Sequence, residues 1–376
     1  MNYKIGELFC GPGGLGLGAR LAALKINGDI WKANHVWAND ADPNACRTFI
    51  RNICPEHPGT VVCCPVEKLS FKELPKIDAL AFGFPCNDYS VIGEQRGING
   101  KFGGLYRFGV EALNHFRPKW FIAENVNGLR NFNNIFSFRQ ILSELAVAGK
   151  GYTLTPHLYR FEEYGVPQRR HRIIVVGIEN NLGKKFRVPA PTTPKIFITA
   201  KQAITSPPIP NDASNNENTD HPDWIVERLK RIPPSGNAWN SNLPSHLRLN
   251  VKGAKLSNIY RRLSASQPSY TVTGSGGGGT HVYHWNEPRA LTNREKARLQ
   301  TFPDSFIFEG GKDSVRRQVG MAVPPLAAKI IIRSIFKTLA GIDYDSTEST
   351  WEGIDVKPGE KQMGAFRKKL ASMALN

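Results

Sequence analysis

The strongest constraint on the fold is a rhythm. Between residues 3 and 180 short apolar runs alternate with helical-looking segments. The first run is Ile5-Gly6-Glu7-Leu8-Phe9-Cys10, followed by a glycine turn and a helical stretch from Leu17 to Leu24. Further runs stand at 77–82, 120–123 and 173–176. Strands that alternate with helices imply an α/β fold, a mostly parallel sheet with helices on both faces. With 376 residues the chain has room for a large domain and a smaller one.

From about 183 to 260 the rhythm is lost. Pro207-Pro208-Ile209-Pro210, an Asn-rich stretch at 211–219 and Pro233-Pro234-Ser235-Gly236 keep regular elements short. Basic and aromatic residues mix there, among them Lys184, Arg187, Trp224, Arg228 and Trp239. Over the whole chain Lys and Arg outnumber Asp and Glu by 49 to 32, a formal charge of +17 that selects a polyanionic partner. The segment therefore reads as a loop-rich, nucleic-acid-facing module. A glycine-rich run at 274–279 follows, and Thr292-Asn293-Arg294-Glu295 has the spacing of a capping box whose helix should stop near Pro303. Pro324-Pro325 precedes a long apolar helix over 326–339. The polar tail from about 341 is expected to be poorly ordered. These breaks set expected boundaries of 1–182, 183–285, 286–340 and 341–376.

No stretch of 18 apolar residues occurs, and Met1-Asn2-Tyr3-Lys4 lacks a signal-peptide core, so no membrane span is expected and a reducing cytoplasm is. All six cysteines lie in the first 86 residues. Their spacing, including Cys54, His57, Cys63 and Cys64, lacks a CxxC pair, so no metal is expected and the thiols read as small hydrophobes.

Cys86 breaks that reading. It lies in Gly83-Phe84-Pro85-Cys86-Asn87-Asp88-Tyr89-Ser90, just past an apolar run and behind a proline, where a nucleophile would be placed. Glu124-Asn125-Val126 and Gln168-Arg169-Arg170-His171-Arg172, each bordering another apolar run, supply an acid and positive charge. Gly11-Pro12-Gly13-Gly14-Leu15-Gly16 opens a helix after the first strand, where glycines let a ligand approach the backbone. Asp40 falls where a second strand should end, able to accept both hydroxyls of a ribose. That geometry suits NAD and S-adenosylmethionine alike, so a dehydrogenase stays open at this point.

With these residues in view, the chain resembles the DNA (cytosine-5)-methyltransferases of bacterial restriction-modification systems, over roughly residues 5–180 and 260–335. Six motifs fall in the family's order. They are Phe9-Cys10-Gly11-Pro12-Gly13-Gly14, Pro85-Cys86-Asn87, Glu124-Asn125-Val126, Gln168-Arg169-Arg170-His171-Arg172, Arg262 with 268–271, and Gly320-Met321-Ala322-Val323-Pro324. The resemblance implies a Rossmann-like S-adenosylmethionine-dependent methyltransferase sheet with a smaller target-recognition domain. It implies catalysis by Cys86, Glu124, Arg170 and Arg172. It also implies S-adenosylmethionine held by Phe9, Gly11, Pro12, Gly13, Gly14, Leu15, Asp40, Val66, Pro85, Leu105, Met321 and Ala322. Double-stranded DNA would be met by Asn87, Ser90, Arg96, Gln168 and Arg262, with the enzyme acting as a monomer beside a cognate endonuclease. The chain departs from the family's pattern at four places: Asn87 for Gln, Asp40 for Glu, Pro65 for an Asp, and Met321 for an Asn. A tRNA-methylating branch shares the fold, but its Cys-Phe-Thr signature is absent here.

Overall fold

The computed structural model describes residues 1–83, 104–126, 135–250, 258–274 and 278–351. Strand β1 (Asn2–Leu8) leads through the glycine turn into helix α1 (Gly14–Leu21), then β2 (Leu24–Ile26), β3 (Asp29–Asp40), α2 (Pro43–Ile53), β4 (Val61–Cys63) and β5 (Ala79–Gly83). Next come α3 (Tyr106–Phe116), β6 (Trp120–Val126), α4 (Ile135–Val147), β7 (Tyr152–Arg160), β8 (Gln168–Arg169) and β9 (His171–Glu179). The principal sheet has eight strands in the order β2-β3-β1-β5-β6-β9-β7, with β4 paired to β3.

The strands β4, β3, β1, β5 and β6 are parallel, as the rhythm implies. The far edge makes the sheet mixed: β9 runs antiparallel to both β6 and β7. Its predecessor β7 is joined to it by the compact segment 161–170 rather than by a crossover helix, so β9 has to return in the opposite direction.

Period-two alternation divides the core into two layers. Ala79 and Ala81, Trp120 and Ile122, and Ile174, Val176 and Ile178 face α1 and α9 (Pro325–Ala340). Leu80 and Phe82, Phe121 and Ala123, and Ile173 and Val175 face α3 and α4. The apolar α9 is thus a core helix, with Ile331, Ile332, Ile335 and Phe336 at most 2% exposed.

Helix α1 starts at Gly14 instead of Leu17, and Leu24 lies in β2. Glycines are poor helix formers, yet close packing needs them here. A Cβ on Gly14 would stand 2.2 Å from the Val323 carbonyl oxygen, and one on Gly18 2.3 Å from the Ala328 Cβ.

The capping box is present, with the Thr292 hydroxyl accepting from the Glu295 N–H and the Glu295 carboxylate accepting from the Thr292 N–H. It opens α7 (Asn293–Leu299), which is followed by α8 (Lys312–Met321). Between β9 and α7 lie β10 (Val188–Pro189), α5 (Ala200–Thr205), α6 (Asp223–Arg231) and β11 (Ser269–Tyr270). Ile225, Leu229, Ile232, Leu247, Tyr260 and Tyr283 form a small core of their own. Ala200 and Ile204, by contrast, pack with Phe49 and Leu299 in the main body. The start of the tail is ordered: β12 (Ser346–Thr347) pairs antiparallel with β10, and the Trp351 ring meets Phe138 edge-on at 5.1 Å.

The α1–α9 contact leaves no space for a larger residue. Gly18→Val should cost about 1–3 kcal/mol through overpacking, seen as a lower denaturation midpoint with unchanged far-UV dichroism.

Candidate active site

The carboxyl ends of β1, β3, β5 and β6 lie along one rim of the sheet, and Phe9, Gly11, Asp40, Gly83 and Glu124 stand there. Phe9 and Gly11 adopt φ of +54° and +53°, and Gly13 +97°, a left-handed path that turns the chain from β1 into α1. The Gly11 N–H donates to Asp40 Oδ2 at 2.8 Å, and the Asp42 N–H to Asp40 Oδ1 at 2.9 Å. Asp40 therefore ties the turn to the end of β3. Burial, opposed by those N–H groups, raises its pKa. Asn39 Nδ2 donates to the carbonyls of Val62 and Cys64 at 2.8 and 2.9 Å, fixing the next loop beside it. Val66 is buried below that loop, and Leu105 packs with the same cluster at the head of α3.

These residues fit S-adenosylmethionine. A Cβ on Gly11 would meet nothing within 4 Å, so the turn offers open backbone. Beyond the N–H groups it accepts, the Asp40 carboxylate has lone-pair capacity left for a ribose hydroxyl. Pro12, Gly13, Gly14 and Leu15 are buried behind the turn, and Ala322 beneath it is 5% exposed. Met321 is 69% exposed and lies over Gly274.

At the end of β6, Glu124 Oε1 pairs with Arg172 Nε at 3.0 Å. Their side chains are 12% and 13% exposed. They are diagonal neighbours across the antiparallel pair, because Glu124 opposes Ile174 and Val126 opposes Arg172. Arg172 Nη1 also donates to the His171 carbonyl at 2.8 Å. Burial raises the Glu124 pKa, against the pull of Arg172 and then Arg170. The result is a carboxyl group that holds a proton more readily than an exposed one. Gly83 pairs with Glu124, and a Cβ there would lie 3.2 Å from Glu124 Oε2. The chain leaves Gly83 toward Cys86, which lies outside the described residues together with Pro85, Asn87, Ser90 and Arg96. Burial pushes up the thiols of Cys10, Cys46 and Cys54, so these stay protonated and inert.

Three expected site residues face inward. Gln168, assigned above to DNA, is 0% exposed. Its Nε2 donates to the Leu299 carbonyl and its Oε1 accepts from the Val272 N–H, so both ends of the amide are used inside the protein. Arg262, also assigned to DNA, is 6% exposed and donates to the carbonyls of Leu229, Ile232, His284 and Glu287. It staples the small core together and presents nothing to a duplex. Arg170 is 1% exposed and donates to the Val272 carbonyl at 3.1 Å, so it acts on Glu124 by its charge through the protein.

Sequence reasoning passed over Glu7 and His35, whose side chains meet at 2.7 Å, each 2% exposed, beneath the glycine turn. The signal was there: one acid stands inside the apolar run of β1.

The comparisons with known proteins now bear on this geometry. Residues 3–337 match the family described as C-5 cytosine-specific DNA methylase. The chain belongs to that family. This methylase is similar to the type II methyltransferase M.BbvI of Brevibacillus brevis, with 56% identity over 359 residues, 94% of this chain and 96% of that one. It is also similar to M.NgoFVII of Neisseria gonorrhoeae, 40% identical over 88% of this chain and 86% of the relative. Among solved structures, a DNA modification methyltransferase encoded within an E. coli prophage superposes with a TM-score of 0.63 at 24% identity, covering 90% of the methylase and 99% of that chain. Spodoptera frugiperda DNMT2 reaches 0.60 at 16% identity, covering 89% and 99%. These two likenesses establish the fold of the methylase.

Gln168→Leu should leave two buried backbone groups unpaired and cost about 1–3 kcal/mol in a denaturant titration. Neither this change nor Arg262→Met should alter the salt dependence of DNA binding in the folded protein.

Proposed function

We propose that this DNA (cytosine-5-)-methyltransferase modifies a cytosine turned out of a short target sequence in duplex DNA, as the modification half of a restriction-modification system. The observation that carries the reading is the Glu124–Arg172 pair at the β6 rim, beside the strand end from which the chain leads to Cys86.

Inside a stacked duplex the target base is out of reach, so it has to be flipped into the rim at a cost of about a few kcal/mol. The Cys86 thiolate would add to C6, forming the S–C6 bond, while the displaced ring electrons reach N3. Glu124 would give N3 a proton as that charge builds, and its raised pKa helps it to carry the proton there. Arg172 fixes the carboxyl in place and faces the O2 edge of the base. S-adenosylmethionine, when bound, supplies a methyl group in electrophilic form. Phe9, Gly11 and Asp40 would hold it on the open side of the turn, with its ribose hydroxyls on Asp40. Loss of the C5 proton to water and cleavage of the S–C6 bond would then return Cys86 as thiolate, and the N3 proton would go back to Glu124.

The segment 183–285, with its own small core, would read the target in the major groove. The surplus of Lys and Arg favours the duplex without regard to sequence. One catalytic event modifies one base, which a monomer accomplishes alone.

Bisulfite sequencing of unmethylated plasmid after incubation with protein and S-adenosylmethionine tests the reading. Protected cytosines should recur in one short sequence. Cys86→Ser should abolish protection while leaving DNA binding largely intact; retained methylation in that variant would sink the covalent route. Glu124→Gln should lower kcat by about 10²- to 10⁴-fold with little change in DNA affinity.

A further inference from the structure

Lys296 has no place in the chemistry above, and its surroundings are unusual for a lysine. It is 3% exposed on α7, and its ammonium has no hydrogen bond or ion pair among the described residues. The carboxylate whose charge acts on it, Glu295, is already used: it is gripped by both Arg289 terminal nitrogens at 2.8 Å and accepts the Thr292 N–H. Of the groups facing Lys296, Arg316 is the cation; burial lowers the pKa of His281, to about 4, and that of His221, so both imidazoles are neutral, and Asp220 lies on the His221 side. Arg316 on α8 and His281 and His221 from the recognition segment all act on it or on one another electrostatically. Two atoms of this cluster, His281 Nδ1 and Arg316 Nε, are buried with no hydrogen-bond partner. Arg316 Nη1 holds Asp313 Oδ1 at 2.9 Å, but that aspartate is 83% exposed and directed to water. The His221 and His281 rings lie 5.8 Å apart, and His221 Nε2 accepts the Ala290 N–H at 3.3 Å, which leaves its proton on Nδ1.

Burying one cation beside another costs free energy unless an anion completes the group. Burial, and then Arg316, hold the Lys296 pKa down to about 8, the mark of a charge with too little compensation. Donors on two helices and one loop converge on the seam between the recognition segment and the body. Oxyanions with several acceptor oxygens match such a set.

We propose that Lys296, Arg316 and His281 form a seat for one DNA backbone phosphate, at the seam where the recognition segment meets α7 and α8. The seat reads no base; it fixes the duplex in register with the rim. The assignment rests on DNA as the substrate.

The test is equilibrium binding of a target duplex over a salt series, together with thermal denaturation of the free protein. Removing one phosphate contact lowers the slope of log K against log salt by about 0.9 and weakens binding about eightfold near 0.1 M salt. Lys296→Met should show that loss with the same preferred sequence, and at the same time a higher Tm without DNA, because an uncompensated charge is gone. A merely structural lysine would move affinity and Tm in the same direction. Lys296→Arg should retain the slope. If Lys296→Met fails to fold, Arg316→Gln, at a partly exposed side chain, should reduce the slope in its place. An unchanged slope in either folded variant overturns the proposal. A Tm raised by inorganic phosphate over matched chloride in wild type alone, with the DNA slope unchanged, would assign the seat to a free anion and overturn the DNA source. Failure of the wild-type protein to bind DNA at any salt would overturn the DNA reading itself.

Discussion

The contact between α1 and α9 holds the rest together. The chain makes its sheet, departs for more than a hundred residues through the segment 183–285, and must then return to the first strand it made. It returns through α9, whose Ala328 meets Gly18 and whose preceding Val323 carbonyl meets Gly14. Only side chains of minimal size allow the backbones so close, and that closeness seals the underside of the glycine turn. The turn therefore owes its shape to residues at both ends of the chain. Asp40 completes it from β3, accepting the Gly11 N–H.

Much of this was legible because particular residues leave no alternative. Glycines at 11 and 13 supply positive φ, the spacing from Thr292 to Glu295 announces a cap, and Pro325 admits a helix start but no interior. Glu124 and Arg172 were legible through the order of motifs, and the structure brings them to 3.0 Å. The direction of β9 was not, since an apolar strand buried on both faces reads alike in either sense. Nor was the helical state of Gly14 to Gly18, where tertiary packing outweighs propensity.

Gln168 and Arg262 show a different limit. Polar residues within basic runs read as surface, because sequence reveals their chemistry and not their orientation. Both turn inward and carry backbone hydrogen bonds: Gln168 joins β8 to Val272 and Leu299, and Arg262 gathers carbonyls from α6 and the 284–287 turn. The polar residues of such motifs can thus be struts inside the protein. Lys296 is the converse, a buried charge that nothing in its local sequence distinguishes from the solvated lysine expected in a capped helix.

The antiparallel insertion of β9 ties the Glu124–Arg172 pair to the folding of the sheet. Because β9 enters the sheet where β6 leaves it, an acid and an arginine far apart in the chain meet at one rim. Side chains on a strand alternate between faces, so a slip of β9 by one residue would send Arg172 to the opposite face and strand Glu124 alone. Such a slip would also exchange the side chains that Ile173 to Ile178 supply to the two core layers, so misalignment and loss of the pair share a single cause. A molecule that has paired its last strands wrongly therefore has no Glu124–Arg172 pair at its rim, whatever else of it has folded.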